Sequence, residues 1–136
     1  MKVVLDTNVL LSAYLWRDSV SKKLVSELLH YKAEIYTSPD IMVEFQRVLK
    51  KDFAFMDNEV IDAMTTVLSF ARIVHPSVTV AVVKDDPTDG RIIECAIASN
   101  STYILSYNKH LLKLKEYEGI KMLRPEEMLA MLRMLY

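Results

Sequence analysis

Carboxylates are the side chains of this 136-residue sequence whose types and positions can build a reactive site. The other common chemistries are removed by what the chain lacks. With only Gly90 and Gly119, neither a GxGxxG turn nor a phosphate-cradling P-loop can be assembled. His30, His75 and His110 are too widely spaced for HExxH, and no GxSxG occurs for a nucleophile elbow. A single cysteine, Cys95, precludes an internal disulfide or a CxxC motif. It follows Ile92 and Ile93, and reads as a buried structural thiol.

Three acids stand out by position: Asp6, Glu44 and Asp89. Asp6 closes the short β-branched run Lys2–Leu5, which reads as a buried first strand. Asp89 sits in the turn-rich stretch Asp85-Asp86-Pro87-Thr88-Asp89-Gly90, introducing a helix from about Gly90 to Ser99. It lies three before Ile92 and four before Ile93, which aims it at the inward side of that helix. Glu44 lies three after Ile41 and four before Val48, so it borders an apolar stripe, while Val43 and Arg47 point the other way. Acids turned toward an interior are costly unless paired or bound to metal.

Each acid also has an ordinary reading. Asp6 can begin an Asx-turn, Asp89 can cap a helix, and Glu44 can pair with a nearby Lys or Arg. Thr7, Ser38 and Ser106 read first as residues that bond the backbone at turns. Independent caps, however, have no reason to converge on one edge of the molecule.

The elements that must position these residues alternate between strand and helix. Helices are expected at Asn8–Trp16, capped by Thr7 or Asn8, and from Ser19 or Ser21 to about Tyr31. Others are expected from Pro39 to about Lys50, from an Asn58 cap to about Ala71, and over Lys109–Leu114. Pro125-Glu126-Glu127 opens a last one. Strands are expected at Glu34–Thr37, Thr102–Ser106 and Ile120–Leu123, with extended segments at Arg72–His75 and Val78–Val83. Such alternation means βαβ units and a mostly parallel sheet with helices on both faces, in a single domain over residues 1–136. Ligands of such sheets bind outside the carboxyl ends of the strands, which is where Asp6, Asp89 and Asn108 fall.

Composition is consistent with this. A hydrophobic content of 51% supplies a core, and a mean hydropathy of +0.14 is too apolar for disorder. No apolar run reaches membrane-span length, and Asp6 arrives too early for a signal-peptide core, so a cytoplasmic protein is expected. The net charge of −1 announces no global field for nucleic acid. The clusters Lys22-Lys23, Lys50-Lys51 and Lys109-His110 with Lys113 and Lys115 read as solvated faces.

Taken in order, several segments resemble the PIN-domain nucleases, closest to their toxin–antitoxin toxin branch (VapC-like). They are Val3-Val4-Leu5-Asp6-Thr7-Asn8-Val9-Leu10, Ser38-Pro39 through Glu44-Phe45-Gln46-Arg47-Val48-Leu49, Asp86-Pro87-Thr88-Asp89, and Tyr103-Ile104-Leu105-Ser106 before Lys109-His110-Leu111-Leu112. The resemblance spans essentially the whole chain. It implies a three-layer α/β/α fold and Mg²⁺- or Mn²⁺-dependent hydrolysis of phosphodiester bonds in single-stranded RNA. It places Asp6, Glu44 and Asp89 at the catalytic and metal-binding positions, with Asp6 and Asp89 as direct ligands. Glu44 either binds directly or holds a metal water. Asn8, Asp86, Ser106 and Asn108 stand as supporting residues. The branch usually carries an acid after the fourth strand, in a pattern like TGDKHLL. Here Asn108 replaces that acid and Tyr107 the glycine, so a neutral oxygen ligand is expected to weaken a second metal site.

Lys109, His110 and Lys113 are candidates to meet an RNA backbone. An antitoxin protein and a homodimer are the implied partners, the C-terminal helix being apolar nearly all round. The alternative is a catalytically weak PIN-like module that binds RNA or protein without cutting, a reading that Asn108 favours.

Overall fold

The computed structural model describes residues 1–80 and 87–136. In chain order the elements are β1 (Lys2–Leu5), α1 (Thr7–Leu15), α2 (Val20–His30), β2 (Glu34–Thr37), α3 (Pro39–Phe53), α4 (Asp57–Phe70) and β3 (Ala71–Ile73). They continue as α5 (Pro87–Ser99), β4 (Tyr103–Leu105), α6 (Lys109–Leu114), β5 (Glu116–Tyr117), β6 (Ile120–Leu123) and α7 (Pro125–Leu135).

The described strands form one sheet in the order β3-β2-β1-β4-β6-β5, parallel throughout except for the β5–β6 pair. In β1, Val3, Val4 and Leu5 are all fully buried. A strand that buries successive residues must be covered on both faces, as the expected α/β/α layering requires. Helix α5 packs on β1, β2 and β4, while α2 packs on β2, α1 and α7. Phe45, Leu49, Ile93 and Ile104 are fully buried among the apolar side chains between them.

The order reverses at β1: β2 and β3 lie to one side, β4 and β6 to the other. This switch point opens a crevice at the carboxyl ends of β1 and β4. Leu5 pairs in register with Leu105, so Asp6 and Ser106 leave the sheet side by side. The Asp6 backbone N–H still donates to the Leu105 carbonyl at 2.9 Å, which fixes where its side chain begins.

Several boundaries differ from the sequence expectation. Asp6, not Thr7 or Asn8, caps α1: its backbone is extended (φ −64°, ψ 157°) and its carboxylate accepts the Thr7 N–H. Helix α4 starts one residue before Asn58, because Glu59 reaches back to the Met56 N–H and supplies the cap from inside the helix. Helix α3 runs on to Phe53. Helix α5 begins at Pro87, so Asp89 lies within its first turn and is neither a loop residue nor a cap.

Strand β5 has no counterpart in the sequence reading. Glu118 (φ 47°) and Gly119 (φ 84°) both take positive φ, giving the two-residue hairpin turn that pairs Tyr117 with Ile120. Of the extended segment expected at Val78–Val83, residues 78–80 lie outside the sheet and the rest is outside the described residues. Val80 is held against α5 instead, its N–H donating to Glu94 at 2.8 Å. A Cβ on Gly90 would meet the Val80 carbonyl oxygen at 2.8 Å, so this close approach needs glycine.

The C-terminal helix buries Met128, Leu129 and Leu132 and packs on α2, which accounts for one of its apolar faces. Met134, Leu135 and Tyr136 remain exposed, and the Tyr136 ring stacks on Tyr31 with centroids 4.3 Å apart. No described helix is long and apolar enough to cross a membrane.

Candidate active site

A cleft of about 200 Å³ opens at the switch point, lined by Asp6, Asn8, Asp40, Glu44, Asp89, Arg91 and Asn108 among others. Asp6, Glu44 and Asp89, which sequence position singled out, therefore meet in one place. Asn8 and Asn108 line the same cleft. Ser106 sits behind it, and Asp86 lies outside the described residues.

Asp6 and Asp89 are 6% and 2% exposed. Burying two carboxylates on one cleft is unfavourable unless the surroundings supply positive potential or hydrogen bonds. Both are supplied. Asp6 caps α1 and Asp89 occupies the first turn of α5, so each stands at the positive end of a helix. Asp6 Oδ1 accepts the Thr7 N–H at 2.7 Å, and Oδ2 accepts the buried Ser106 hydroxyl at 2.5 Å. Ser106 Oγ in turn accepts the Asn108 N–H at 2.8 Å, and Asn108 Nδ2 donates to Asp89 Oδ1 at 3.0 Å. A continuous polar chain thus runs Asp6–Ser106–Asn108–Asp89, and the loop after β4 joins the two carboxylates.

Ser106 is therefore more than a turn residue, since it holds the acid that follows β1 across one hundred positions of sequence. Asn8 ties the same loop to α1 by accepting the Tyr107 N–H at 3.3 Å. The Tyr107 hydroxyl donates to Glu126 at 2.6 Å, anchoring the loop to α7. Burial and this carboxylate both push the phenol above its ordinary pKa.

The opposite wall is built differently. Glu44 is partly exposed, its side chain at 23%, and it takes both contacts of Arg47: Nη2 at 2.7 Å and Nε at 3.0 Å. Arg47 therefore does not point away from Glu44, as the sequence reading had it: three residues on, it neighbours Glu44 on the helix surface, and Glu44 both pairs with it and lines the cleft. The bond to Glu44 raises the Arg47 pKa, so the guanidinium stays charged. Asp40, exposed one turn before Glu44, adds a fourth carboxylate to the rim.

Two residues of the cleft escaped the sequence reading. Asp40 was recoverable, because it lies four positions before Glu44 on the same helix face. Arg91 was not: two residues after Asp89, it resembles any exposed helical arginine until α5 is docked on the sheet. Among the described residues it makes no ion pair within 4.0 Å. Lys109, His110 and Lys113 are exposed on α6 but do not line the cleft. Among the described residues Arg91 is the basic side chain that lines it.

The donor set fits a hard divalent ion. Among the described residues no three His, Cys, Asp or Glu side chains form a ready-made metal cluster, so an all-protein cage is absent there. Mg²⁺ does not need one, because it binds through one or two carboxylates and keeps several waters. Two buried carboxylates facing a cleft with room for an ion and several waters match that requirement.

Cys95 fulfils the structural reading. It is fully buried on α5 and burial pushes its thiol up to about 12, which leaves it protonated and unreactive at neutral pH.

Comparison with known proteins places the fold. An uncharacterized protein of Methanocaldococcus jannaschii is 29% identical over 120 residues, covering 85% of this chain and 76% of that protein. VapBC2 from Rickettsia felis, solved bound to a DNA fragment from its promoter, superposes with a TM-score of 0.66. The identity is 20%, over 91% of this chain and 98% of that one. PAE2754 from Pyrobaculum aerophilum superposes with a TM-score of 0.64 at 17% identity, over 98% of this chain and 90% of that one. These likenesses carry the fold, and the PIN domain matches residues 2–110, which includes every element that lines the cleft. The chain belongs to the PIN-domain family of nucleases.

Proposed function

We propose that this protein is a Mg²⁺- or Mn²⁺-dependent ribonuclease that hydrolyses phosphodiester bonds of single-stranded RNA. The observation that carries the reading is the pair of buried carboxylates, Asp6 and Asp89, joined by one polar chain at the switch point of a PIN-family sheet. Asp6 and Asp89 would hold the ion, and Glu44 would bind it or one of its waters. When bound, the ion supplies Lewis acidity toward the scissile phosphate and lowers the pKa of a bound water.

The chain's own residues do the rest. Ser106 and Thr7 hold the Asp6 carboxylate in one orientation, and Asn108 does so for Asp89. Arg91 supplies a guanidinium for a backbone phosphate, offsetting the repulsion that four carboxylates would exert on RNA. In this reading residues 1–136 form one domain, which acts in the cytoplasm. The protein is the toxin of a toxin–antitoxin pair, acting as a homodimer and restrained by an antitoxin protein. The fold shared with Rickettsia felis VapBC2 supports the toxin assignment.

The test is incubation of the full chain with labelled single-stranded RNA, with and without Mn²⁺. Cleavage that needs Mn²⁺, stops on chelation and is lost in Asp6→Asn is the expected result. A second reading, an RNA- or protein-binding module with weak catalysis, is favoured by Asn108 standing where the branch usually has an acid. Tight RNA binding with no cleavage in that assay would select it.

A further inference from the structure

Asn108 occupies the fourth corner of the cleft, where a neutral oxygen ligand was expected. Its oxygen is already committed. Asn108 Oδ1 accepts the His110 N–H at 2.8 Å and caps α6. The end of the amide that reaches Asp89 is therefore Nδ2, a donor. Exchanging the two ends would set the NH₂ against the His110 N–H and the amide oxygen against a carboxylate oxygen, so the orientation is fixed by its partners.

We propose that Asn108 is a positioning residue, which holds Asp89 for a single divalent ion and contributes no ligand of its own. The proposal rests on the metal-dependent reading of the cleft. A group that orients a metal-binding carboxylate by a hydrogen bond changes affinity without touching the ion. With an amide at this corner the cleft has Asp6 and Asp89 as its buried acids, which suits one hydrated ion. An acid here would set a further carboxylate directly against Asp89 and leave room for a second cation.

Two substitutions separate these roles, because Ser and Asp both remain good helix caps and so preserve α6. Asn108→Ser removes the donor to Asp89; Asn108→Asp replaces it with charge. Calorimetric titration of the full-length chain with Mn²⁺ should give one site in the wild type. Asn108→Ser should keep one site with affinity about tenfold weaker. Asn108→Asp should take up a second ion, and should melt below the wild type in EDTA, where no cation separates the carboxylates.

Two bound ions in the wild type, or unchanged affinity in Asn108→Ser, would overturn the assignment. A wild type that binds no Mn²⁺ would overturn the metal-dependent reading along with it. One ion bound normally by Asn108→Ser would remove only the role of Asn108. The melting points of Asn108→Ser, Asp89→Asn and the double variant in EDTA read the contact without metal. Additive shifts there would also count against it.

Discussion

Asp6 and Asp89 are almost wholly buried, fixed by helix N-termini and by donors from Thr7, Ser106 and Asn108. Across the cleft, Asp40 and Glu44 stand on the outer turns of α3, and Glu44 is held by the exposed Arg47. Both walls present carboxylates, but only the first carries a substantial desolvation cost. A screened pair such as Glu44–Arg47 is easily opened, since its partners are solvated either way. The buried wall can hold an ion in a fixed place, whereas the exposed wall can adjust to a substrate or a metal water. The division of labour follows from burial.

The largest effects should come from breaking the buried wall. Asp6→Asn and Asp89→Asn should each reduce RNA cleavage by about a thousandfold or more, the range seen when one member of a catalytic constellation is removed. Neither should lower the melting temperature in EDTA substantially, since each removes a buried charge while keeping the shape. Glu44→Gln, on the exposed wall, should cost closer to tenfold. Equal losses at all three positions would erase the distinction between the walls.

Ser106→Ala should destabilise the fold by about 1–3 kcal/mol, because it leaves Asp6 Oδ2 and the Asn108 N–H without the hydroxyl that joins them. Chemical denaturation measures this directly. A loss below about half a kcal/mol would mean that water replaces the hydroxyl with ease.

Cys95, behind the buried wall on α5, probes how well that side is sealed. Its thiol is raised from the ordinary 9.0 to about 12, so an unfolded chain loses the proton at lower pH than the folded one. Its contribution is fully present below about 9 and is lost as pH rises toward 12, at up to about 1.4 kcal/mol per unit. Denaturation of the wild type between pH 8 and 10.5 should show this alkaline loss, and Cys95→Ala should show less of it. Identical slopes would place the thiol in contact with solvent.

The smallest effect belongs to Arg47→Gln, which should shift the melting temperature by less than about 2 °C. A larger loss would mean that the exposed wall is structural after all.

Much of the buried wall was legible in the sequence because strand ends and helix starts carry local signals. Asp6 follows a β-branched run, and Asp89 keeps helical spacing to Ile92 and Ile93. What was missed depended on partners distant in sequence or on unusual backbone. Asp6 displaced Thr7 and Asn8 as the cap of α1 because the chain leaves β1 in extended geometry at that residue. The β5–β6 hairpin needs positive φ at Glu118 as well as Gly119, and glutamate gives no such signal. Asn108 was recognised as a departure, yet the end of its amide that faces Asp89 is set by His110 and cannot be read from residue type. Arg91 became part of the cleft only through the docking of α5. Glu44 was placed correctly at the border of a buried stripe, but its ties to Arg47 make it the least fixed of the three acids.

Asp6 and Asp89 are the residues proposed to hold the ion. Crystals soaked in Mn²⁺ and measured for anomalous scattering test this most directly. The expected result is a peak between the two carboxylates, about 2.0–2.2 Å from an oxygen of each, with Asn108 Nδ2 still on Asp89 and outside bonding distance of the metal. A peak coordinated by Asp40 and Glu44 alone, or one bonded to the Asn108 amide oxygen, would contradict it.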